Sequence, residues 1–479
     1  RYPRHHSIMK IRWSNLVGAQ APVFFAGNAM QRASSILVTL LFVAFAGMSS
    51  FGRLEVYRTV TGLAAAVAVL GMDAALAEHI GRNEHAAQAT SLRISQFILG
   101  VGWLLAAMAV TLRLFNGSEQ VSLAIIFLAI GLAQSVVLVG LVIARIQRAQ
   151  RLFLVLAVLM SFSLLLPLTV VFGYFGKDAV WSFGVVWWIG TAAAAHFIAP
   201  VTKKWLKIHA QPKRSVGLEL LSKGLLVAPL GVLAWVIQSA DRLVLYSSRG
   251  AEEVGLYSLA SRLIVLVSLV LYPLQALWWP AAIRKRREGQ PLAETDVSAS
   301  VARLAAAVVF FMEALILWFA SDLRMWTGIA LLVLSVFMNV LYFFPVVPVL
   351  DQGKTFICTQ AFLIGAAVNL ATTLYLAPTF GFVGAAISTV LGYGSVLMFT
   401  SRRAFLLDGK KYRVTTPVFV SLAGLVAALV LYENLKQGQV LIPITLCFAA
   451  FYYGISGCIL SVKARGDFME VLGIQTDVS

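Results

Sequence analysis

The sequence predicts an all-α polytopic membrane protein with about 14 transmembrane helices. Of its 479 residues, 60% are hydrophobic and only 12% are charged. Soluble domains are about 45–50% apolar and about 25% charged, so this chain has too little polar surface to cover a water-soluble body of its size. The apolar runs are long and continuous, which favours helices over the short alternating strands of a membrane barrel.

The predicted spans are runs of about 20 mostly apolar residues, the length that crosses a bilayer. The first six are approximately Ala21–Gly47, Val56–Leu76, Ser95–Leu114, Leu123–Ile143, Leu152–Tyr174 and Val180–Ile198. The next six are approximately Leu221–Tyr246, Val254–Pro280, Leu304–Ala320, Trp326–Leu350, Phe356–Leu376 and Phe382–Phe399. The last two are approximately Val418–Tyr432 and Val440–Leu460.

The basic residues predict the orientation of these spans. The net charge is +17, and most Lys and Arg residues fall in loops on one side of the predicted membrane. The three longest loops, Ala199–Leu220, Ala281–Arg303 and Ser401–Pro417, all lie on that side. Because positively charged loops remain in the cytoplasm, we expect both termini to be cytoplasmic and the short loops to be outside.

Loop lengths and a weak internal repeat predict the domain organisation. Residues 1–216 are expected to form one six-helix bundle, residues 217–404 a second, and residues 405–479 two additional helices with a cytoplasmic tail. The polar segment 238–242 falls at the same place in its bundle as segment 31–35. This placement indicates two halves related by a pseudo-two-fold axis, and transporters commonly bind their substrates between such repeats.

Polar residues inside the spans mark the candidate site. Five of them share one helical face in the first span: Asn28, Gln31, Arg32, Ser35 and Thr39. Arg32 lies roughly 16 Å from the start of the span, where a charge costs about 2.5–3.5 kcal/mol. We therefore expect this face to line a hydrated cavity. The alternative is a buried ion pair between Arg32 and, for example, Asp73 or Glu313.

The second half repeats this polar pattern. Its seventh span carries Gln238, Asp241 and Arg242, and Asp241 with Arg242 is either a local ion pair or part of the site. The polar residues of the eighth span lie close to one face: Tyr257, Ser258, Ser261, Arg262, Ser268 and Tyr272.

Motifs for catalysis are missing from the sequence. It contains no glycine-rich phosphate loop, no HExxH and no GxSxG motif. His79, Glu84 and His85 lie close together, but they are interpreted as residues of a solvated cytoplasmic turn and not as a metal site. The sequence thus predicts a protein that is not an enzyme and has no cofactor or metal. An enzyme of glycan assembly remains an alternative, although it would need acidic residues on a sizeable external loop.

Four segments resemble the polysaccharide transporter family, which includes O-antigen flippases, of the multidrug/oligosaccharidyl-lipid/polysaccharide exporter superfamily. They are Trp235–Leu245, Glu252–Leu263, Trp278–Ile283 and Asn369–Tyr393. The resemblance implies two six-helix bundles around a central cavity. It also implies that undecaprenyl-diphosphate-linked oligosaccharide crosses the bacterial cytoplasmic (inner) membrane by alternating access, for O-antigen, capsule or exopolysaccharide assembly. The partners that the resemblance implies are the lipid bilayer, glycosyltransferases and a polysaccharide polymerase. No nucleic-acid partner is implied.

The resemblance assigns roles to the polar residues found above. The predicted substrate-binding residues are Arg32, Arg262, Arg58, Asn28, Gln31, Asp241, Arg242, Tyr257 and Trp278. Arginines suit the diphosphate because the planar guanidinium matches phosphate oxygens, whereas amides and aromatic rings suit the sugars.

Two related transporters remain as alternatives within the superfamily. A cation-coupled multidrug exporter is expected to carry a carboxylate in its first span, but here that span has Arg32 and no acid. A lipid II flippase also has cavity arginines, although its arginine-rich pattern in the first span is not reproduced. Coupling to H⁺ or Na⁺ is left open.

Overall fold

The computed structural model describes residues 14–69, 71–72, 75–76, 84–115, 117–147, 149–171, 179–208, 211–262, 264, 283, 286 and 323–409. These residues form helices and short connections, without a strand among them. Seven of the described helices are long and apolar enough to cross a membrane. The predicted all-α polytopic fold is thereby confirmed. The ninth, thirteenth and fourteenth predicted spans lie outside the described residues, so the full number of spans stays a prediction.

The first two predicted spans form one bent element, α1 (Ser14–Val69), with two arms that meet at Gly47. Gly47 has φ 80°, a conformation that glycine adopts at little cost because it has no Cβ. The first arm covers residues 14–46 and the second arm covers residues 48–69. The prediction that the second span begins at Val56 after a loop is wrong, because a single glycine makes the turn.

Five further helices complete the first half of the described chain: α2 (Glu84–Leu114), α3 (Glu119–Ile146), α4 (Gln150–Leu165), α5 (Leu168–Val171) and α6 (Ala179–Trp205). The predicted fifth span is interrupted after Leu165, because Pro167 has no N–H to continue the helical hydrogen bonds. Aromatic rings fill the core of this half: Phe42 meets Phe183 edge-on at 5.4 Å, and Phe183 lies 5.8 Å from Trp187.

The second half contains α7 (Arg214–Arg249), α8 (described over 251–262), α9 (Leu323–Leu341), α10 (Val346–Asp351), α11 (Phe356–Phe380) and α12 (Phe382–Asp408). Two predicted cytoplasmic loops are shorter than expected. Residues 206–213 alone connect α6 with α7, and α12 continues to Asp408. Basic residues at these helix ends are compatible with helix, so hydrophobicity alone ended the predicted spans too early.

Large apolar side chains are exposed on the outer faces of several helices, as expected of surfaces that contact lipid. Examples are Phe97, Leu104, Phe162, Tyr375 and Met398. Without water to drive helix association in the bilayer, packing must come from close contact of small residues.

The two halves touch where backbones approach closely. A Cβ added at Gly52 on α1 would overlap the backbone of Ala251, and one added at Gly255 on α8 would meet the carbonyl oxygen of Met48. Only glycine allows this approach. It brings the second arm of α1 directly against α8, which places the polar residues of both halves opposite one another. The exact domain boundaries stay predictions, and residues 410–479 lie outside the described part of the chain.

Two turns of the second half are tied together by side chains. Arg249, at the end of α7, donates hydrogen bonds to the carbonyl oxygens of Pro378 and Thr379, at 2.9 and 2.6 Å. The carboxylate of Glu253 accepts a hydrogen bond of 2.9 Å from the backbone N–H of Phe382, the first residue of α12. These contacts join the segments around 252–263 and 369–393, two of the four that carried the sequence resemblance, and they show that α7 and α11 end side by side.

Candidate functional site

A cavity of about 500 Å³ lies between the two halves. The first half contributes residues of α1, α3, α4 and α6, and the second half contributes residues of α7, α8, α9 and α12. The polar and aromatic lining residues that the site uses are Gln31, Arg32, Ser35, Glu55, Arg58, Gln134, Trp187, Trp235, Gln238, Arg242, Tyr257, Ser261, Arg262, Asn339 and Thr389. A site of this size, built jointly by two bundles, depends on their relative position.

The cavity is strongly cationic. Among the residues that the structure describes, its charged lining residues are Arg32, Arg58, Arg242 and Arg262 against Glu55, which is a formal net charge of +3. Positive charges this close repel one another, and the penalty is greatest where water is scarce. A lining of this kind favours an anionic ligand.

Glu55 holds two of these arginines together. Its Oε1 accepts a hydrogen bond of 2.8 Å from Nη1 of Arg58, one turn along α1. Nη2 of Arg262, from α8 in the other half, lies 3.2 and 3.0 Å from the two carboxylate oxygens. The Glu55 side chain is only 2% exposed, and those of Arg58 and Arg262 are 10% and 23% exposed. The ion pairs are therefore largely desolvated and link the halves across the cavity.

Arg58 is fixed on its other sides as well. Its Nη2 donates to the hydroxyl of Ser35 on the first arm of α1 at 3.3 Å. Its guanidinium lies 5.5 Å from the centre of the Trp187 ring on α6, a cation–π contact. Arg58 thus stands where both arms of α1 and α6 meet.

A second polar network surrounds Asp241 and Arg242. The Asp241 carboxylate accepts hydrogen bonds from the Tyr257 hydroxyl, from Thr389 at 3.4 Å and from the backbone N–H of Arg242 at 2.8 Å. Nε of Arg242 donates to Ser258 at 3.1 Å, and the guanidinium lies 5.6 Å from the centre of the Tyr257 ring. This network holds α7, α8 and α12 in register at the cavity wall.

Several buried N–H donors on lining residues have no acceptor within the described part of the chain. They are Nε2 of Gln31, Nε1 of Trp187, Nε1 of Trp235 and Nε of Arg262. Buried polar groups are rarely left without a partner, and each exception calls for an explanation such as a bound ligand. All four are donors, so acceptor oxygens are what these described lining residues lack.

The structure gathers most of the predicted site residues at this cavity. Six of the nine line it: Gln31, Arg32, Arg58, Arg242, Tyr257 and Arg262. Asn28 is exposed on the first arm of α1 and is outside the lining, and Asp241 is fully buried behind it. Trp278 lies outside the described residues, as do Asp73 and Glu313, so the ion pair considered for Arg32 stays a prediction.

Sequence reasoning missed Glu55 and the two lining tryptophans, Trp187 and Trp235. The hydropathy pattern predicts a loop over residues 48–55, which includes Glu55, and Trp187 sits in an apolar stretch with no polar neighbour to mark it. The spacing of three residues between Glu55 and Arg58, which places both side chains on one helical face, becomes a signal only when the helix is extended past Gly47.

Comparisons with known proteins agree with this fold. Residues 20–284 match the family model described as polysaccharide biosynthesis protein. No curated protein matches the chain.

Solved structures of transporters have a similar fold. The lipid II flippase MurJ in an inward closed conformation aligns with a TM-score of 0.60 at 15% identity, over 94% of this chain and 99% of that one. An outward-facing multidrug resistance MATE family transporter of the MOP superfamily aligns with a TM-score of 0.56 at 16% identity, over 86% and 100%. MATE in the straight conformation aligns with 0.56 at 15%, over 83% and 97%. The family match confirms the resemblance to the polysaccharide family that was predicted from sequence segments, and the solved structures share the fold.

Proposed function

Because the chain belongs to the polysaccharide biosynthesis protein family, we propose that it is a flippase for undecaprenyl-diphosphate-linked oligosaccharide. The cargo would cross the bacterial cytoplasmic membrane by alternating access and serve O-antigen, capsule or exopolysaccharide assembly. The observation that carries this proposal is the cavity between the halves, where four arginines face one glutamate. A diphosphate supplies the negative charge and the acceptor oxygens that this lining favours.

Glu55 has a direct role in this proposal. In the absence of cargo its carboxylate neutralises Arg58 and Arg262. A diphosphate that enters the cavity offers the same two guanidiniums more oxygens and more charge, so it competes with Glu55 for them. Because Arg262 belongs to the second half and Glu55 to the first, this exchange loosens a contact between the halves. Binding energy from the anion is thus used to favour the change in access.

The rest of the cargo has suitable surroundings as well. The rings of Trp187, Trp235 and Tyr257 and the amides of Gln31 and Gln134 can contact sugar rings and hydroxyls. The isoprenoid tail is apolar enough to stay in lipid throughout.

The same geometry weakens the alternatives. A cationic drug needs an accessible carboxylate, whereas Glu55 is already engaged by two arginines. An enzyme of glycan assembly has no support in the transporter folds that resemble this chain. A lipid II flippase remains the alternative that the cavity chemistry favours, since lipid II also carries a diphosphate.

Coupling of transport to H⁺ or Na⁺ is part of the proposal, with Asp241 as the group that binds the cation. Asp241 is fully buried and lies beside Tyr257 and Thr389. On α11, the side-chain atoms of Asn369 and Thr373 are buried and lack hydrogen-bond partners among the described residues. An added Cβ at Gly392 would meet both Asn369 on α11 and Ile237 on α7, so these two residues lie at the same level. Because α7 and α11 run in parallel, one further turn along each helix brings Thr373 to the level of Asp241. Asp241→Asn is expected to abolish any cation dependence of transport in proteoliposomes.

Binding measurements with three ligands test the proposal. We expect the purified protein in lipid nanodiscs to retain undecaprenyl diphosphate in native mass spectra in preference to undecaprenyl monophosphate, and not to bind the cationic dye ethidium. Arg262→Ala should weaken the diphosphate complex at least tenfold, whereas Lys204→Ala, an exposed cation at the end of α6, should not. Ethidium binding that undecaprenyl diphosphate leaves unchanged would overturn the proposal in favour of a multidrug exporter.

A further inference from the structure

A second pocket, of about 480 Å³, lies at one end of the first half, where Tyr246 of the second half also lines it. Its hydrogen-bonding and aromatic lining residues are Arg53, Tyr57, Ser118, Glu119, Gln120 and Tyr246. None of them lines the arginine cavity, so the two spaces are separate.

Three helices show on which side of the cavity this pocket lies. On α3 the pocket uses Gln120 and the cavity uses Gln134, which is 14 residues or roughly 21 Å further along. On α6 the pocket uses Val180, and Trp187 of the cavity is roughly 10 Å further along. On α7 the pocket uses Tyr246, one turn beyond Arg242. All three displacements lead to the end where α1 turns at Gly47, the end that the charge distribution places outside.

The lining differs from that of the cavity in chemistry. It combines hydrogen-bond donors and acceptors. Arg53 is accompanied by Glu119, whose Oε2 lies 3.7 Å from Nη1 of Arg113. Each sugar hydroxyl both donates and accepts hydrogen bonds, so a mixed lining suits sugars better than a purely cationic one does. Two tyrosine rings supply apolar faces with a hydroxyl at the edge, and the Tyr57 ring is steadied by Phe127, 5.5 Å away.

We propose that this outer pocket binds the sugar rings of the glycan on the outer side of the membrane, separately from the diphosphate. It thus provides a subsite where the oligosaccharide of a flipped cargo is held before release. The direction of transport in this inference rests on the proposed function, whereas the binding of free sugar does not. The two parts of one ligand are then recognised by two chemically different sites, one cationic and one mixed.

Saturation-transfer-difference NMR on the whole protein in nanodiscs tests this inference. The probe is free oligosaccharide released by mild acid from the undecaprenyl-linked pool of the host cell, so it carries neither lipid nor diphosphate. We expect signals from sugar protons with the unmodified protein, and a loss of about fivefold or more in affinity with Tyr246→Ala or Gln120→Ala. Tyr57→Phe, which removes one hydroxyl without disturbing the contact with Phe127, should weaken binding less.

The matched control is Phe115→Ala, which changes an exposed aromatic residue at the same end of the protein without altering the pocket lining. Phe115→Ala should bind the oligosaccharide as the unmodified protein does. Absence of sugar signals from a protein that still binds undecaprenyl diphosphate would overturn the outer subsite and leave the proposed function standing. Signals that survive both Tyr246→Ala and Gln120→Ala would also overturn it. Sugar binding without any diphosphate binding would support the pocket and overturn the proposed function instead.

Discussion

Arg262 on α8 contacts both carboxylate oxygens of Glu55 on α1, at 3.2 and 3.0 Å, so one ion pair joins the two halves of the protein. Arg58 shares the same carboxylate at 2.8 Å. One acid thus stabilises two partly desolvated cations that would otherwise repel each other. The arrangement makes Glu55 more important for stability than either arginine.

A double-mutant cycle on this pair is the first prediction. Glu55→Gln strands two guanidiniums and should lower the free energy of unfolding by about 3–5 kcal/mol. Arg262→Gln leaves Glu55 paired with Arg58 and should cost less. The double variant should be more stable than the sum of the single effects predicts, with a coupling of about 1–3 kcal/mol. Denaturant unfolding of each protein in nanodiscs measures the free energies of the two single variants and the double variant.

The control for this cycle is Glu219→Gln. Glu219 pairs with Lys223 at 3.1 Å on an exposed stretch of α7, and its side chain is 48% exposed, so we expect an effect of at most about 1 kcal/mol. Additive effects of Glu55→Gln and Arg262→Gln would show that the pair does not stabilise the contact between the halves.

Undecaprenyl diphosphate should rescue Glu55→Gln, which is the second prediction. If phosphate oxygens occupy the place of the Glu55 carboxylate, the ligand restores the missing negative charge. The increase in unfolding temperature on addition of the lipid should therefore be larger for Glu55→Gln than for the unmodified protein. Equal or smaller stabilisation of the variant would mean that the diphosphate binds elsewhere.

The close contact of the halves gives the third prediction. Gly52→Ala places a methyl group against the backbone of Ala251, which cannot move aside without separating α1 from α8. We expect a loss of about 1–3 kcal/mol in stability. Gly100→Ala on α2 is the matched control, since a Cβ there meets no neighbour within 4 Å, and it should be neutral or slightly stabilising. Comparable unfolding curves for the two variants would contradict the contact.

Glu55 also shows how far the sequence alone could lead. The helical fold was predictable because long apolar runs need no tertiary information to be recognised. The end of a helix is different: at Gly47 one residue with positive φ reverses the chain, and a hydropathy profile cannot distinguish this turn from a loop over residues 48–55. Hydropathy therefore predicts a loop position for Glu55, and it identifies its partner Arg262 independently.

The cavity arginines could be predicted for a related reason. Arg32 and Arg262 lie within runs so apolar that an isolated charge is conspicuous and expensive. Trp187 and Trp235 are apolar themselves, so only the packing of α6 and α7 against the cavity reveals that they line it. Contacts between segments far apart in the chain, such as that of Arg249 with the carbonyl oxygens at the end of α11, depend on topology and have no signal in local sequence.

The orientation supplies the fourth prediction. Tags inserted near Lys207, Arg286 and Lys410 should report the cytoplasm, and tags near Arg249 and Arg324 should report the outside, because the basic loops remain cytoplasmic. Cysteine labelling with a membrane-impermeant reagent gives an independent measurement at the same positions. An external signal near Lys207 would show that the two halves are not parallel repeats.

The last prediction distinguishes a role of Arg32 in substrate transport from a role in stabilising the fold. Arg32 lines the cavity on the first arm of α1, on the same helix as Arg58. If it contacts the diphosphate, Arg32→Ala removes a costly intramembrane charge, so membrane abundance should be unchanged while glycan export collapses. Arg32→Lys should restore export only in part, because ammonium keeps the charge without the planar fork. If Arg32 instead belongs to a buried pair, Arg32→Ala strands a carboxylate at a cost of about 3–5 kcal/mol and the protein should be depleted from the membrane.

Quantitative blotting of membranes alongside surface glycan, in cells lacking the native gene, distinguishes the two results. Normal abundance with normal export would remove Arg32 from the binding site, and depletion reversed by neutralising Asp73 or Glu313 would assign it to the pair.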